Sequence, residues 1–325
     1  MSRLYQKVEQ IWWSNDQPPF LLRAASRIYD VVNRHNLSRR KSRAISTTIP
    51  MISVGNITAG GSGKTPFVIW LATRLKSEGF RPVILCRGDG GKGGMPELLS
   101  DNSTPQKVGD EAVLLYQKSD CPVISGHDRI QATTMAEACG DIMILDDGFQ
   151  YLQLKRVCDI VLIPAEGIGN GQLIPAGPLR ESVDALNRAD LIVRTGQSDK
   201  IKPLSSNKEW QWWCCEAQLE QVAGPSSEKP GMAVALTAIA RPGRFIQSLE
   251  KTGMDVVESF TFPDHHPFST HDIQQVLQHN EAVVVTAKDA VKLQPIWPVD
   301  RPLWVLQQQA EAEPGLFEAI KGFVR

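Results

Sequence analysis

Long apolar runs are missing from this sequence of 325 residues. No stretch approaches the roughly 20 consecutive apolar residues that cross a bilayer, and no signal-peptide pattern opens the chain. An excess of one charge sign is also missing, because 35 basic residues stand against 36 acidic ones, for a formal net charge of -1. We therefore expect no membrane-spanning segment and no nucleic-acid partner.

Cysteine is sparse, and the six cysteines form no C-x-x-C pair of the kind used by metal sites and redox motifs. Most of them lie in or beside apolar runs, where buried free thiols are common. Cys214 and Cys215 are adjacent, and neighbouring cysteines rarely bridge without strain. This usage predicts free thiols in a reducing compartment, and hence a cytoplasmic protein.

A strand-like apolar run at residues 49–57 leads into a glycine-rich loop, and a helix-like segment follows at residues 66–78. This order of elements is the setting in which a phosphate-binding loop forms. Glycines let successive backbone N–H groups turn inward, and the helix N-terminus adds partial positive charge. The predicted phosphate-binding residues are Thr58, Ala59, Gly60, Gly61, Ser62, Gly63, Lys64 and Thr65.

Two side chains of this loop could act on a bound nucleotide and its metal ion. Lys64 can reach the β- and γ-phosphates of a nucleotide, and the Thr65 hydroxyl can ligate Mg²⁺. The usual pattern opens with glycine at the position where this chain has Thr58. An ordinary glycine-rich turn between a strand and a helix is therefore the alternative.

Residues 49–195 alternate short apolar runs with helical patterns, which predicts a parallel sheet with helices on both faces. Strands are expected at residues 82–86, 122–125, 142–145, 160–163 and 191–193, and helices at residues 111–116 and 129–138. The segment 88–108 is rich in glycine and polar residues and is expected to form a long functional or mobile loop. The pattern is that of an α/β fold resembling P-loop NTPases.

A second α/β pattern follows a polar segment at residues 196–230, and the composition shift near residue 223 is typical of an interdomain link. Its expected strands are residues 232–236, 256–260, 282–286 and 303–306, and its expected helices are residues 244–252, 270–279 and 314–324. The predicted organisation is an N-terminal segment (1–48), a P-loop domain (49–222) and a smaller α/β domain (223–325) whose last helix could pack back on the first.

The N-terminal segment differs from the rest of the chain. Leu4, Val8, Ile11 and Trp12 recur at helical spacing, and a second apolar pattern runs over residues 20–32. Basic residues accompany and follow that pattern: Arg23, Arg27, Arg34, Arg39, Arg40, Lys41 and Arg43. An amphipathic helix in an anionic membrane interface has this composition. A helix packed on the domain, with a solvated basic tail, explains the residues equally well.

An apolar strand at residues 142–145 ends in two acids, Asp146 and Asp147. Ligands of open parallel sheets bind at the carboxyl ends of the strands, and in P-loop proteins a carboxylate there holds the Mg²⁺ of the nucleotide. Downstream of a phosphate loop, this position predicts a magnesium site.

Three further clusters have both a functional and a structural interpretation. Asp110 and Glu111 begin a predicted helix, where acids are favourable for the helix dipole alone. His265 and the histidine after it lie between prolines, as in a polar turn. Arg180, followed by Glu181, could bind phosphate as a planar fork or form a surface ion pair of little consequence.

Taken together, the motifs resemble the tetraacyldisaccharide 4′-kinase family, the lipid A 4′-kinases of Gram-negative envelope synthesis. The resemblance runs from about residue 10 to the C-terminus. It rests on the segments SVGNITAGGSGKTP, LDDGFQ, GNGQLIPAGPLRES, FPDHHPFS and TAKDAVKL, in that order. The phosphate loop of this family also lacks the usual first glycine, so Thr58 is expected there.

The resemblance implies an ATP- and Mg²⁺-dependent kinase that phosphorylates the 4′-hydroxyl of a tetraacylated glucosamine disaccharide 1-phosphate. It implies that Asp110 and His265 form a catalytic dyad and that Lys64 acts on the phosphates. The expected metal surroundings are Thr65, Glu111, Asp146, Asp147 and Gln150, and Arg180 and Glu181 are expected on the disaccharide side. It also favours the membrane interpretation of the N-terminus, at the cytoplasmic face of the inner membrane, with no obligate protein partner evident.

Three positions depart from the usual pattern of the family. Asp89 and Tyr151 stand where Tyr and His are usual, and Ala287 replaces a usual Glu. None of these residues is assigned to phosphate transfer. The alternative functions are a P-loop GTPase or metallochaperone switch, and a soluble sugar kinase. The first usually needs an Asn-Lys-x-Asp segment that this chain does not present, and the basic, aromatic N-terminus argues against the second.

Overall fold

A computed structural model describes residues 8, 10–14, 16–196, 203–204 and 209–324, with the side chains of residues 214–217 excepted. Leu4 of the predicted N-terminal pattern, and the thiols of Cys214 and Cys215, lie outside the described part. The other four cysteines, at positions 86, 121, 139 and 158, are free, as predicted.

The described residues contain twelve strands that form one hydrogen-bonded sheet. They are β1 (Met51–Asn56), β2 (Pro82–Cys86), β3 (Glu97–Leu98), β4 (Val123–Ser125), β5 (Ile142–Asp146), β6 (Cys158–Pro164), β7 (Leu191–Thr195), β8 (Glu209–Ala223), β9 (Met232–Thr237), β10 (Asp255–Thr261), β11 (Ala282–Thr286) and β12 (Leu303–Ala312). Their order across the sheet is β10-β9-β11-β12-β8-β7-β6-β1-β5-β2-β4-β3.

The helices lie between these strands in the alternation that the sequence predicts. They are α1 (Phe20–Ser42), α2 (Lys64–Ser77), α3 (Pro105–Val108), α4 (Asp110–Ser119), α5 (Arg129–Glu137), α6 (Pro242–Lys251), α7 (Thr270–Val276), α8 (Ala287–Leu293) and α9 (Leu316–Lys321). Short 3-10 helices span Val183–Arg188 and Gln294–Ile296. Helix α8 and strand β3 were not predicted, and β3 and α3 both lie inside the predicted long loop.

Most strand pairs are parallel, which confirms the predicted α/β class with a mostly parallel sheet and flanking helices. The antiparallel pairs of the described sheet are β12 with β8 and β3 with β4. Every residue of β1, β2, β5, β6 and β7 is buried. Continuous apolar runs form these strands because helices cover a parallel sheet on both faces.

The sequence did not predict β8, a 15-residue strand that lies within the polar segment at residues 196–230. It pairs in parallel with β7 on one side and antiparallel with β12 on the other. Because β8 and β12 run in opposite directions, β9, β10, β11 and β12 point the other way from β1, β2 and β4–β8. β8 ends at Ala223, where the domain boundary is predicted; the division into two domains stays a prediction.

Helix α1 lies against the segment that carries Arg180. The Ser26 hydroxyl donates to the carbonyl of Leu173 at 2.7 Å, and the Tyr29 hydroxyl donates to the carbonyl of Arg180 at 3.0 Å. The other side of the helix leaves five apolar side chains exposed: Phe20, Leu21, Ile28, Val31 and Val32. None of the described helices has both the length and the apolar character needed to cross a membrane.

Candidate active site

The loop between β1 and α2 divides into an anchored part and an exposed part. Thr58 bridges to Leu179, and the Ala59 amide donates to the carbonyl of Pro178 at 2.7 Å. Gly60 and Gly63 have positive φ values of 94° and 79°. Position 58 therefore needs no glycine, since the left-handed conformations fall on later residues that are glycine.

Ser62 fixes this loop from the protein interior. Its hydroxyl accepts a hydrogen bond from the Asn56 amide at 2.8 Å, and its carbonyl accepts one from the Thr195 hydroxyl at 3.0 Å. Gly60 and Gly61 are exposed, whereas Ser62 is buried. The backbone is thus held from inside while its outer glycines face solvent, which is the arrangement that a phosphate cradle requires.

Lys64, in the first turn of α2, faces the acid pair at the end of β5, Asp146 and Asp147. Its Nζ atom lies 3.4 Å from Oδ1 of Asp147, and Arg180 Nη1 lies 3.0 and 2.9 Å from the two carboxylate oxygens. Burial raises the pKa of Asp147, but Lys64 and Arg180 outweigh it and hold that pKa well below its usual range. Asp147 is therefore ionised, and its φ of 48° places it in a conformation uncommon for a non-glycine residue.

Asp146 lies deeper at the end of β5. It is buried, and its Oδ1 atom has no hydrogen-bond partner. Burial and the charge of Glu111 raise the pKa of Asp146 to about 7, although Lys64 acts in the opposite direction. Among the described residues, no three His, Cys, Asp or Glu side chains converge as a preformed metal cage. Mg²⁺ commonly takes only one or two carboxylates plus phosphate and water, so a buried carboxylate with a free oxygen beside the phosphate loop fits it.

Gln150 and Glu181 form a second pair at this end of the sheet. The Gln150 amide donates to Oε1 of Glu181 and to the carbonyl of Asn56, both at 2.9 Å. Arg188 Nη2 donates to the same Glu181 oxygen at 2.6 Å. These contacts place Gln150 and Glu181 together beside β1.

Arg180 connects the phosphate loop with helix α1. Its amide donates to the carbonyl of Ile57 at 2.7 Å, and its own carbonyl accepts hydrogen bonds from Tyr29 and from Asn33. Its guanidinium reaches Asp147, as described above. One residue thus joins the N-terminal helix, the strand before the phosphate loop and the acid pair.

Asp110 and His265 come together from two parts of the chain, residues 49–222 (the P-loop half) and residues 223–325 (the C-terminal half). His265 Nδ1 lies 3.0 Å from Oδ1 of Asp110, which also accepts the Glu111 amide at 2.9 Å. The other oxygen, Oδ2, is buried and has no hydrogen-bond partner. Burial raises the pKa of Asp110, but His265 and two lysines, Lys288 and Lys292, outweigh it and lower that pKa. Asp110 is therefore an ionised carboxylate with one oxygen that makes no hydrogen bond.

Lysines of α8, whose roles sequence reasoning missed, complete this cluster. Lys288 Nζ lies 3.0 Å from Glu111, 3.1 Å from Asp264 and 3.3 Å from Nε2 of His265. Because an ammonium group only donates, Nε2 accepts and the Nδ1–H group of His265 donates to Asp110. Lys292 Nζ lies 3.7 Å from Oδ2 of Asp110. The motif containing both lysines was visible in the sequence, but the position of their ammonium groups was not.

His265 itself has a φ of 95°, in the left-handed region that favours glycine. A side chain rarely adopts this conformation unless its surroundings enforce it. The hydrogen bond to Asp110 raises the pKa of His265, whereas burial and Lys288 act against that rise. The strained backbone and the two ring contacts fix the imidazole in one orientation.

The three departures from the family pattern lie around this region. Asp89 forms an ion pair with Arg87 at 3.2 Å, and the ring of Tyr151 lies 5.2 Å from the guanidinium of Arg129. Ala287 begins α8 and packs against the apolar cores of both halves. None of them interrupts the contacts of Lys64, Asp110 or His265.

Comparison with known proteins finds relatives of this chain in one family. A family model described as tetraacyldisaccharide-1-P 4′-kinase matches residues 19–325. A tetraacyldisaccharide 4′-kinase of Alkalilimnicola ehrlichii is 36% identical over 288 residues, covering 84% of this chain and 82% of that protein. One of Coxiella burnetii is 40% identical over 248 residues, covering 75% and 72%.

A solved structure is also similar to this chain over most of its length. The crystal structure of the "apo" form of LpxK from Aquifex aeolicus in complex with ATP superposes with a TM-score of 0.74 at 26% identity. The superposition covers 93% of this chain and 98% of that one.

Proposed function

The chain belongs to the tetraacyldisaccharide-1-P 4′-kinase family, and we propose that the two clusters described above form the active site of this activity. The enzyme transfers the γ-phosphate of ATP to the 4′-hydroxyl of a tetraacylated glucosamine disaccharide 1-phosphate. The observation that carries the site assignment is the pairing of Asp110 and His265 across the two halves, next to Glu111, whose charge, like that of Lys64, acts on Asp146.

In the proposed step, Oδ2 of Asp110 accepts the proton of the 4′-hydroxyl as its oxygen attacks the γ-phosphorus. The bond from that phosphorus to the bridging oxygen breaks, and ADP leaves. The Nδ1–H of His265 holds the other Asp110 oxygen, so the carboxylate is oriented and cannot turn away. Lys64 neutralises charge on the β- and γ-phosphates and thereby lowers the barrier.

Magnesium is a further part of the proposal. Thr65, Glu111, Asp146, Asp147 and Gln150 are the residues predicted to surround it, and the unpartnered oxygen of Asp146 supports the assignment. When bound, Mg²⁺ neutralises negative charge on the phosphates. Lys64 and Arg180 already compensate Asp147. Asp146 is therefore the residue whose buried charge gains most from a cation.

We also propose that helix α1 lies on the cytoplasmic face of the inner membrane. Five exposed apolar side chains on one helix, accompanied by basic residues, support this arrangement. Because α1 contacts the segment of Arg180 and Glu181, a membrane-bound helix would bring the predicted disaccharide side of the site to the lipid surface. A hinge between residues 49–222 and 223–325 belongs to the same proposal, with the antiparallel β8–β12 pair as the connection.

Purified protein incubated with ATP and Mg²⁺ tests the function directly. Hydrolysis or transfer is expected only when the lipid disaccharide 1-phosphate is present, with phosphate appearing on its 4′-hydroxyl. GTP turnover without an acceptor would favour a switch protein, and equal activity toward free glucosamine would favour a soluble sugar kinase.

A further inference from the structure

Two arginines of the C-terminal half share one carboxylate from the P-loop half. Arg241 Nη1 lies 2.7 Å from Oε2 of Glu166, and Arg244 Nε lies 2.6 Å from Oε1. Arg244 Nη2 contacts Oε2 as well. Glu166 follows β6, whereas Arg241 comes just before α6. Two guanidinium groups on one carboxylate give these three residues a net charge of +1.

Arg241 also lies over the exposed part of the phosphate loop. A Cβ atom built on Gly60 would be 4.0 Å from Nη2 of Arg241. The arginine side chain is only 15% exposed, and its guanidinium lies 4.3 Å from the centre of the Trp13 ring. A stacked aromatic ring and a carboxylate therefore hold a planar cation beside the loop.

We propose that Arg241 is a ligand of the nucleotide phosphates, supplied to the phosphate loop by the opposite half of the chain. This inference rests on the proposed assignment of residues 60–65 as that loop. A guanidinium fork matches two phosphate oxygens, and such a bond is stronger than one between neutral groups. Glu166 holds Arg241 in place until phosphate competes for it, and Arg244 then keeps Glu166 partnered.

Charge favours the replacement of Glu166 by nucleotide phosphate as the partner of Arg241. Glu166 is 42% exposed, so water screens its attraction for either arginine. A nucleoside triphosphate bound at the phosphate loop brings several negative charges next to Arg241. An arginine that neutralises charge on a transferring phosphoryl group is a recurring part of phosphoryl-transfer sites.

The matched pair of substitutions is Arg241→Gln and Arg244→Gln. Arg241→Gln removes one hydrogen bond to Glu166 and Arg244→Gln removes two, but only Arg241 reaches Gly60. Calorimetric titration with ATP and steady-state kinetics are the measurements. Arg241→Gln should weaken ATP binding about tenfold or more and lower kcat. Arg244→Gln should change ATP affinity by no more than about twofold, the scale of an exposed ion pair. Equal losses in both variants would mean a plain ion pair between the halves and would overturn the proposal.

Glu166→Gln is an independent test, because the proposal does not expect it to weaken ATP binding as Arg241→Gln does. If Glu166 binds Arg241 only while no nucleotide is present, the Glu166→Gln variant binds ATP with unchanged or higher affinity. If the cluster merely fastens the halves together, Glu166→Gln weakens ATP binding as much as Arg241→Gln, and the proposal fails. Should Arg241→Gln not fold, Arg241→Lys replaces it, with a smaller loss expected because the charge remains without the fork.

Lys64→Ala separates failure of this inference from failure of the function on which it rests. If Lys64→Ala keeps its activity, the phosphate-loop assignment is wrong. If Lys64→Ala is inactive while Arg241→Gln behaves like Arg244→Gln, only the role of Arg241 is refuted.

Discussion

The Nδ1 atom of His265 lies 3.0 Å from Oδ1 of Asp110, although 155 positions separate the two residues in sequence. Asp110 begins helix α4 in the P-loop half, and His265 lies in the C-terminal half between β10 and α7. The pair therefore exists only while the two halves are docked. Any change that separates the halves removes the orientation of the proposed base.

The first prediction is that Asp110 and His265 act as one unit. Asp110→Asn and His265→Ala should each lose much of kcat with little change in ATP affinity, because neither contacts the phosphate loop. The double variant should be no slower than the slower single variant, since coupled catalytic groups are not additive. The measurement is a double-mutant cycle on kcat.

His266→Gln is the matched control for this cycle. His266 adjoins His265 in sequence but bonds Asp272 at 3.1 Å, so its replacement should leave kcat near that of the original protein. Losses that add fully in the double variant would show that the pair does not cooperate. An inactive but folded His266→Gln variant would show that the wrong histidine has been assigned.

The second prediction concerns the lysine of the phosphate loop. Lys64→Ala should lower kcat by several powers of ten, because this ammonium acts on the transferring phosphate, while the circular dichroism spectrum stays unchanged. Lys76→Ala is the control, since Lys76 belongs to the same helix but pairs with the exposed Asp120. Substantial kcat in folded Lys64→Ala would remove the phosphate-loop assignment.

The third prediction concerns magnesium. Asp146→Asn should raise the Mg²⁺ concentration for half-maximal activity by about tenfold or more, since a charged ligand becomes neutral in a buried position. Removal of Mg²⁺ by EDTA should abolish activity in the unsubstituted protein. Magnesium titration of the initial rate is the measurement.

Asp141→Asn controls for the general loss of a carboxylate near β5. Asp141 precedes the strand and pairs with the exposed Arg81 at 3.2 Å. The Asp141→Asn variant should therefore need the same Mg²⁺ concentration for half-maximal activity as the unsubstituted protein. An unchanged requirement in Asp146→Asn would exclude Asp146 from the metal site.

The fourth prediction tests helix α1 as a membrane contact. Leu21→Ser with Ile28→Ser should lower co-sedimentation with vesicles, because apolar burial contributes about 25 cal/mol per Å² removed from water. Replacing Arg39, Arg40, Lys41 and Arg43 by Gln should lower binding mainly on anionic lipid, since each basic residue near such a surface adds about 1 kcal/mol. Binding of the unsubstituted protein should fall as salt rises without vanishing, because salt does not screen the apolar part.

Val299→Ser with Met95→Ser is the control for the apolar substitutions. Both side chains are highly exposed, but neither lies on α1, so vesicle binding should be unchanged. If the α1 and control variants sediment equally, α1 is a packed helix and the membrane contact lies elsewhere. Activity in detergent micelles should suffer less than vesicle binding in every α1 variant.

The elements around the phosphate loop could be predicted from sequence because their signals are local. The apolar run of β1, the glycines after it and the helix that begins at Lys64 all follow from neighbouring residues. The same holds for β5, where a continuous apolar run ends directly in Asp146. Its position at the carboxyl edge of a parallel sheet then follows from the alternation of strands and helices.

Strand β8 could not be predicted from its own residues. Its tryptophans and polar residues do not alternate along its whole length as in a half-buried strand, and no strand was predicted in this polar segment. Its conformation depends on two partners, β7 and the distant β12, with which it pairs in opposite directions. Hydrogen bonds to those strands decide its structure, and neither partner is visible in the residues of β8.

Sequence alone was enough to predict the α/β class, a phosphate-binding loop, the acid pair and, through the family resemblance, Asp110 and His265 as a candidate dyad. Three contacts became visible only in the folded chain: Lys288 bonds Nε2 of His265, Arg180 joins α1 to Asp147, and Arg241 lies over Gly60. These contacts join segments from different elements, and the approach of Arg241 to Gly60 also crosses between the two halves. Their distances depend on how the elements dock, and no periodicity or spacing along the chain encodes that geometry.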